Sequence, residues 1–154
     1  MIFGLFKKNR VRESNFQILN ELINVFSKPT EKELYLLNML GQAYKLSKTK
    51  REQIIKKNNT PRLFPKKRIE KTQLISDMCM LMCIKNEIKV DEYDYCLEVC
   101  KQMNIDDREV DNQIKLIISN ASHLLNGVYD EKLLDISFRE VIAYKIQERI
   151  GFNF

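Results

Sequence analysis

Glycine and proline are scarce in this chain, with four glycines and three prolines among 154 residues. With 31% charged and 44% hydrophobic residues, that scarcity excludes a disordered or low-complexity polymer. It leaves one compact helical domain, long enough to bury a core without disulfides or a structural metal. Four scattered glycines also exclude a glycine-rich phosphate loop. Histidine occurs once, at His123, so neither a His-based metal triad nor a Cys–His pair backed by a second His can be built. His123 reads as a residue near a helix C-terminus rather than as a general base. No window approaches the roughly 18 to 20 uninterrupted apolar residues of a membrane span. Met1 to Phe6 is too short for the apolar core of a secretory signal. The expectation is a non-enzyme in the cytoplasm, without a cofactor, whose four cysteines stay reduced.

Acidic side chains are missing locally rather than globally. Met1–Arg12 carries Lys7, Lys8, Arg10 and Arg12 with no acid, and residues 56–68 carry Lys56, Lys57, Arg62, Lys66, Lys67 and Arg68 with none. The net charge is +5, but residues 1–68 hold 16 basic against 5 acidic side chains, and residues 69–154 hold 10 against 16. A mildly acidic body therefore carries two basic stretches, which is not the pattern of a uniformly basic nucleic-acid binder.

Helical periodicity is abundant. Phe16, Leu19, Leu22, Ile23 and Phe26 fall on one face of an amphipathic helix, and Leu34, Leu37, Leu40 and Tyr44 on one face of the next. Capping boxes mark starts at Ser14 with Gln17, Thr30 with Glu33 and Thr49 with Glu52, and Asp106 with Glu109 repeats the pattern. The run Ile69–Ile84 is apolar almost all round from Met78 onward, as a central buried helix would be. Helices over residues 91–103, 107–120 and 130–149 follow, with a break at Gly127. No segment shows the sustained alternation of a strand, so the expected fold is all-α with about seven helices.

Two prolines interrupt the basic stretch 56–68, and the residue before a proline is pushed away from helical geometry, so this stretch is a linker. Sliding the chain on itself by 59 positions aligns Phe16 with Ile75, Leu19 with Met78, Leu22 with Leu81, Leu37 with Cys96, Leu40 with Val99 and Glu33 with Glu92. The hydrophobic register agrees more than the identities do, which suits either a duplication or two ordinary helical hairpins. The organisation expected is a basic and apolar N-terminal segment 1–13, then one domain over 14–150. In it, similar three-helix units 14–55 and 69–120 are joined by linker 56–68 and closed by a helix over 130–149.

The stretch LISDMCMLMCIKNEIKVDEYDYCLEVCKQMNIDDREVDNQI, residues 74–114, resembles the tellurite-resistance TerB-like family. In that family a buried helix ends in an acidic turn and the next helix opens with a Glu. Ile88 and Glu92 match the turn, Asn86 stands for its glycine, and Lys85 stands where the family has an aspartate. The resemblance implies an all-helical, internally doubled, non-enzymatic protein of bacterial stress response or tellurite resistance, binding a protein or a metal through an acidic surface.

Three constellations are candidates for chemistry. Cys79 and Cys83 lie four apart on one helix and Cys96 and Cys100 four apart on the next, so an antiparallel hairpin could oppose them as a zinc or iron–sulfur site. The plainer reading is buried packing, because these residues sit among Met78, Met80, Leu81, Met82, Leu97 and Val99, and a metal is not favoured. Asp91, Glu92, Asp94, Glu98, Asp107 and Asp111 form an acidic cluster that could face a partner or a cation, although acids in first turns also stabilise the helix dipole. It is not an EF-hand, since Asn112 replaces the turn glycine and Ile118 the bidentate Glu. Lys7, Lys8, Arg10, Lys56, Lys57, Arg62, Lys66, Lys67 and Arg68 could bind an anionic membrane or nucleic acid, or simply solvate a terminus and a loop.

The leading expectation is a cytoplasmic TerB-like interaction module that binds a protein partner or a cation through the acidic face. The alternative is a peripheral regulator that binds an anionic membrane surface or nucleic acid through the basic stretches. A Cys-based metal or redox protein is the third. None of the three expects a small-molecule substrate.

Overall fold

A computed structural model describes residues 2–57, 60–84 and 88–124, with side chains for 8–57, 60–84 and 88–119. Six helices follow one another: α1 Ile2–Asn24, α2 Glu31–Ala43, α3 Lys48–Lys57, α4 Arg68–Cys83, α5 Val90–Gln102 and α6 Arg108–Leu124. No strand occurs among the described residues, whose fold is all-α. The helix expected over 130–149, the Gly127 break and the Lys85–Glu87 part of the TerB-like turn lie outside the described residues.

The helix starts show which local signals won. Thr30 forms the full capping box: its Oγ1 accepts from the Glu33 N–H at 3.3 Å, and Glu33 Oε1 accepts from the Thr30 N–H at 3.0 Å. At α3 the cap is Ser47 rather than Thr49, with Ser47 Oγ accepting from the Lys50 N–H at 3.1 Å. Asp106 Oδ1 accepts from the Arg108 N–H at 2.9 Å and opens α6. The start expected at Ser14 is overturned, because α1 begins at Ile2 and Ser14 is buried inside it. No proline stands before Ser14, and the Leu, Lys and Arg residues there favour helix, so the turn propagates backwards through the segment 1–13. The linker is correspondingly shorter than 56–68, since Lys56 and Lys57 close α3 and Arg68 opens α4.

The two units share a backbone. Helices α2 and α5 are both 13 residues long and lie 59 positions apart, Glu31 matching Val90. Each ends in the same Schellman turn. Leu46 N–H donates to Gly41 O at 3.0 Å and Ile105 N–H to Cys100 O at 2.9 Å, the left-handed residues between being Lys45 at φ 60° and Asn104 at φ 56°. Packing repeats as well. Helix α1 lies on α2 and α3 as α4 lies on α5 and α6, α1 crosses to α5 as α4 crosses to α2, and α1 meets α4 directly. That set of contacts is what a pseudo-two-fold axis between α1 and α4 produces. Phe16, Leu19, Leu22 and Ile23 of α1 and their counterparts Ile75, Met78, Leu81 and Met82 of α4 are all buried along that axis.

Three acids are buried among the described residues, Glu33, Glu92 and Asp77. Asp77 is fully buried, and the Tyr44 hydroxyl donates to its Oδ2 while Gln73 Nε2 donates to its Oδ1 at 3.0 Å. The pair of donors offsets part of the cost of burying a carboxyl group.

Candidate functional site

Because α1 is helical from Ile2, Lys8, Val11, Arg12 and Asn15 fall at i, i+3, i+4 and i+7 and share one face. The linker is tied down beside them. Ser14 Oγ accepts from the Leu63 N–H at 2.8 Å, and the buried Pro65 follows. One residue earlier, Arg62 Nη2 reaches Glu21 Oε2 at 2.6 Å and Tyr95 Oη at 3.1 Å, and Nη1 reaches Gln102 Oε1 at 2.9 Å. Arg62 therefore joins the linker to α1 and to α5. Tyr95 donates to Glu21 at 2.6 Å, completing a small network. Burial pushes the Glu21 carboxyl up, but the bonds from Tyr95 and Arg62 outweigh it and hold that group below its ordinary value.

Between α1, the fastened linker and the start of α4 lies a cleft of about 500 Å³. Its walls carry Lys8 and Arg12 on one side and Lys66 and Lys67 on the other, against a single acid, Glu70. Val11, Phe64, Pro65 and Tyr44 supply apolar surface, and Asn15 and Gln73 supply amides. Lys8 and Lys67 are partners under the 59-residue offset, as are Val11 and Glu70, so the two units contribute equivalent positions to the cleft. Lys67 is the N-cap of α4, and its side chain makes no capping hydrogen bond. Tyr44 and Gln73 connect the floor to the buried Asp77.

Of the expected basic residues, the structure brings Lys8, Lys66 and Lys67 together and adds Arg12. Arg62 is committed to the linker network, Arg10, Lys56, Lys57 and Arg68 are exposed outside the cleft lining, and the Lys7 side chain is outside the described residues. Asn15, Tyr44, Gln73 and Asp77 were missed as site residues. The readable signals were the i, i+3, i+4, i+7 spacing from Lys8 to Asn15 and a lone acid, Asp77, within a helix otherwise apolar on its buried side.

The acidic cluster does not form one face. Glu92 is 2% exposed, the same as its counterpart Glu33, and is withdrawn into the protein. Asp111 accepts from the Tyr93 hydroxyl at 2.6 Å, and this bond raises the Tyr93 phenol to about 12. Asp91 is exposed in the first turn of α5. Asp94, Glu98 and Asp107 do line a shared groove of about 390 Å³ with Leu97, Lys101 and Ile105. Among the described residues no three His, Cys, Asp or Glu side chains are placed to hold a metal ion.

The four cysteines are free and buried. Cys79 Sγ donates to Val110 O at 3.7 Å and Cys96 Sγ to Met82 Sδ at 3.7 Å, which are packing contacts of weak donors. Burial pushes the Cys83 thiol to about 12 and the Cys100 thiol to about 11, with Cys79 and Cys96 also raised well above normal. Thiols so held are poor nucleophiles, because the reactive species is the thiolate.

No helix among the described residues is long and apolar enough to cross a membrane. Comparison of the chain with protein-family models, with curated proteins and with solved structures finds no match.

Proposed function

We propose that this chain is a non-enzymatic helical binding module that holds a phosphate-bearing partner in the cleft between α1 and the linker. The observation that carries this is convergence: two basic stretches far apart in sequence supply Lys8, Arg12, Lys66 and Lys67 to one concavity that holds a single acid. Phosphate is the anion common to nucleic acids and acidic lipids, and positive clefts with apolar walls concentrate such groups. Binding of oligonucleotides and of anionic vesicles across a salt series tests it. Binding should weaken with salt and be lost when Lys8, Arg12, Lys66 and Lys67 are all replaced by Gln. Absence of binding to every phosphate-bearing probe at low salt sinks the proposal.

A second reading has its own observation, the acid-rimmed groove of Asp94, Glu98 and Asp107 around Leu97 and Ile105, which suits a basic, apolar-tipped segment of a protein partner. The TerB-like resemblance of residues 74–114 supports this reading, with a role in a bacterial stress or defence system. The all-helical, two-unit architecture supports that family reading. The triple variant D94N/E98Q/D107N should release a protein partner captured by the parent chain while leaving phosphate binding intact.

A further inference from the structure

The basic cleft has features that a flat or convex phosphate surface would not use. Its volume of about 500 Å³ is that of a small-molecule site, and it is bounded on three sides by α1, the linker and the start of α4. The linker wall is fastened by Ser14 at Leu63 and by Arg62 at Glu21, so the concavity is formed before any ligand arrives.

Its polar groups divide into two sets. Lys66, Lys67, Lys8 and Arg12 converge with the first turn of α4, whose N-cap Lys67 makes no side-chain cap bond and whose helix dipole favours an anion. Asn15 makes a different demand. It lines the cleft, is only 5% exposed, and its Oδ1 has no hydrogen-bond partner among the described residues. A buried acceptor requires a donor, and the dianionic phosphate group of an ester has none to give. Glu70 on the rim is a second acceptor, and it repels a second anion.

Resting on the phosphate reading of the cleft, we propose that its occupant is a small phosphate monoester that also carries a hydroxyl or N–H group, the phosphate sitting at the α4 N-terminus and the donor reaching Asn15. Tyr44, Phe64 and Val11 supply apolar surface for the carbon skeleton between the two polar groups. The same chemistry is found in a soluble nucleotide or polyol phosphate and in the headgroup of a phosphorylated lipid, and the cleft's closure on three sides favours the soluble ester.

Calorimetric titration of the full chain with adenosine monophosphate, glycerol phosphate, adenosine and inorganic phosphate tests this, beside vesicles containing a phosphoinositide. At least one soluble ester should bind about tenfold more tightly than inorganic phosphate, the expected size of one hydrogen bond to a buried group. Adenosine alone should not bind. Asn15→Leu should bring the ester down to the level of inorganic phosphate without weakening inorganic phosphate itself. Asn15→Asp, which keeps the size and the acceptor but adds a negative charge, should weaken every phosphate-bearing probe yet retain the ester's preference over inorganic phosphate if the leucine variant does not fold. Lys67→Gln, at an exposed position, should weaken ester and inorganic phosphate alike. Vesicle or oligonucleotide binding without binding of any soluble ester overturns the small-ligand inference and leaves the broader function standing. Equal affinity for esters and inorganic phosphate overturns the role of Asn15. Failure of every phosphate-bearing probe overturns both.

Discussion

Residues 2–8 and residues 61–67 hold equivalent places in the two units, yet the first is helix and the second is linker. Pro61 and Pro65 account for the difference: each lacks an N–H and restrains its predecessor, so α4 cannot extend backwards as α1 does. The consequence is functional. An extended α1 presents Lys8 beside the N-terminus of α4, and the cleft forms where the symmetry fails. The second helices α2 and α5 repeat in length and in the hydrogen bonds of their Schellman turns. The proposed site therefore lies at a departure from the repeat, while the repeated helices supply the core.

Equivalent core positions offer the largest test of that division. Leu22 and Leu81 are partners under the offset, at 0% and 1% exposure. Replacing either by Ala should cost about 2–5 kcal/mol in chemical denaturation, as buried Leu truncations do. If the axis is real in energy as well as geometry, the two losses should be similar and each should unfold the whole domain in one transition. Two separate transitions would mean that the units are independently stable.

A smaller effect separates the units at the cleft floor. Tyr44 and Met103 are equivalent and buried, but only Tyr44 donates to a buried carboxylate. Tyr44→Phe should cost about 1–3 kcal/mol by removing one donor to Asp77, whereas Met103→Leu should cost less than about 1.5 kcal/mol. Equal losses would show that the Tyr44–Asp77 bond contributes little.

The linker network adds pH dependence to one unit. Glu21 has its carboxyl lowered from 4.5, so the stability it supplies is present above that value and is lost as pH falls through the lower, folded value. Arg62→Ala should remove part of that acid-sensitive stability, at most about 1 kcal/mol for a partly exposed pair, and should speed proteolysis between Thr60 and Lys67. Glu21→Gln should flatten the stability curve below pH 4.5 in the same way. An unchanged acid limb in both variants would contradict the network's role.

The helices, the offset and the linker were legible because each rests on short-range signals: apolar spacing, a capping box at Thr30, two prolines. What was not legible depended on long-range contact. Arg62 reads as a free linker charge until Glu21, Tyr95 and Gln102 are brought to it from two other helices. Glu92 reads as a surface acid because first-turn acids are common, and only packing withdraws it. Ser14 satisfies the sequence pattern of a cap, but its oxygen serves the Leu63 N–H instead. The convergence of the basic stretches could not be read from composition, since it needs both the backward extension of α1 and the course of the linker.

The smallest effect tests the repeated turn itself. Lys45 and Asn104 occupy the same left-handed place, and the strain there depends on the side chain. A Cβ crowds the following carbonyl in that region, costing about 1–2 kcal/mol for an ordinary residue, while Asn eases it through local hydrogen bonding. Glycine removes the clash but gains freedom in the unfolded chain, which offsets part of the benefit. Lys45→Gly should therefore stabilise the protein by about 0.5–1 kcal/mol, and Asn104→Gly by a few tenths at most. Thermal melts of the two variants would rank the turns. A larger gain at Asn104 would mean that its side chain is strained despite its residue type, and the two turns would then be alike in hydrogen bonding but not in energy.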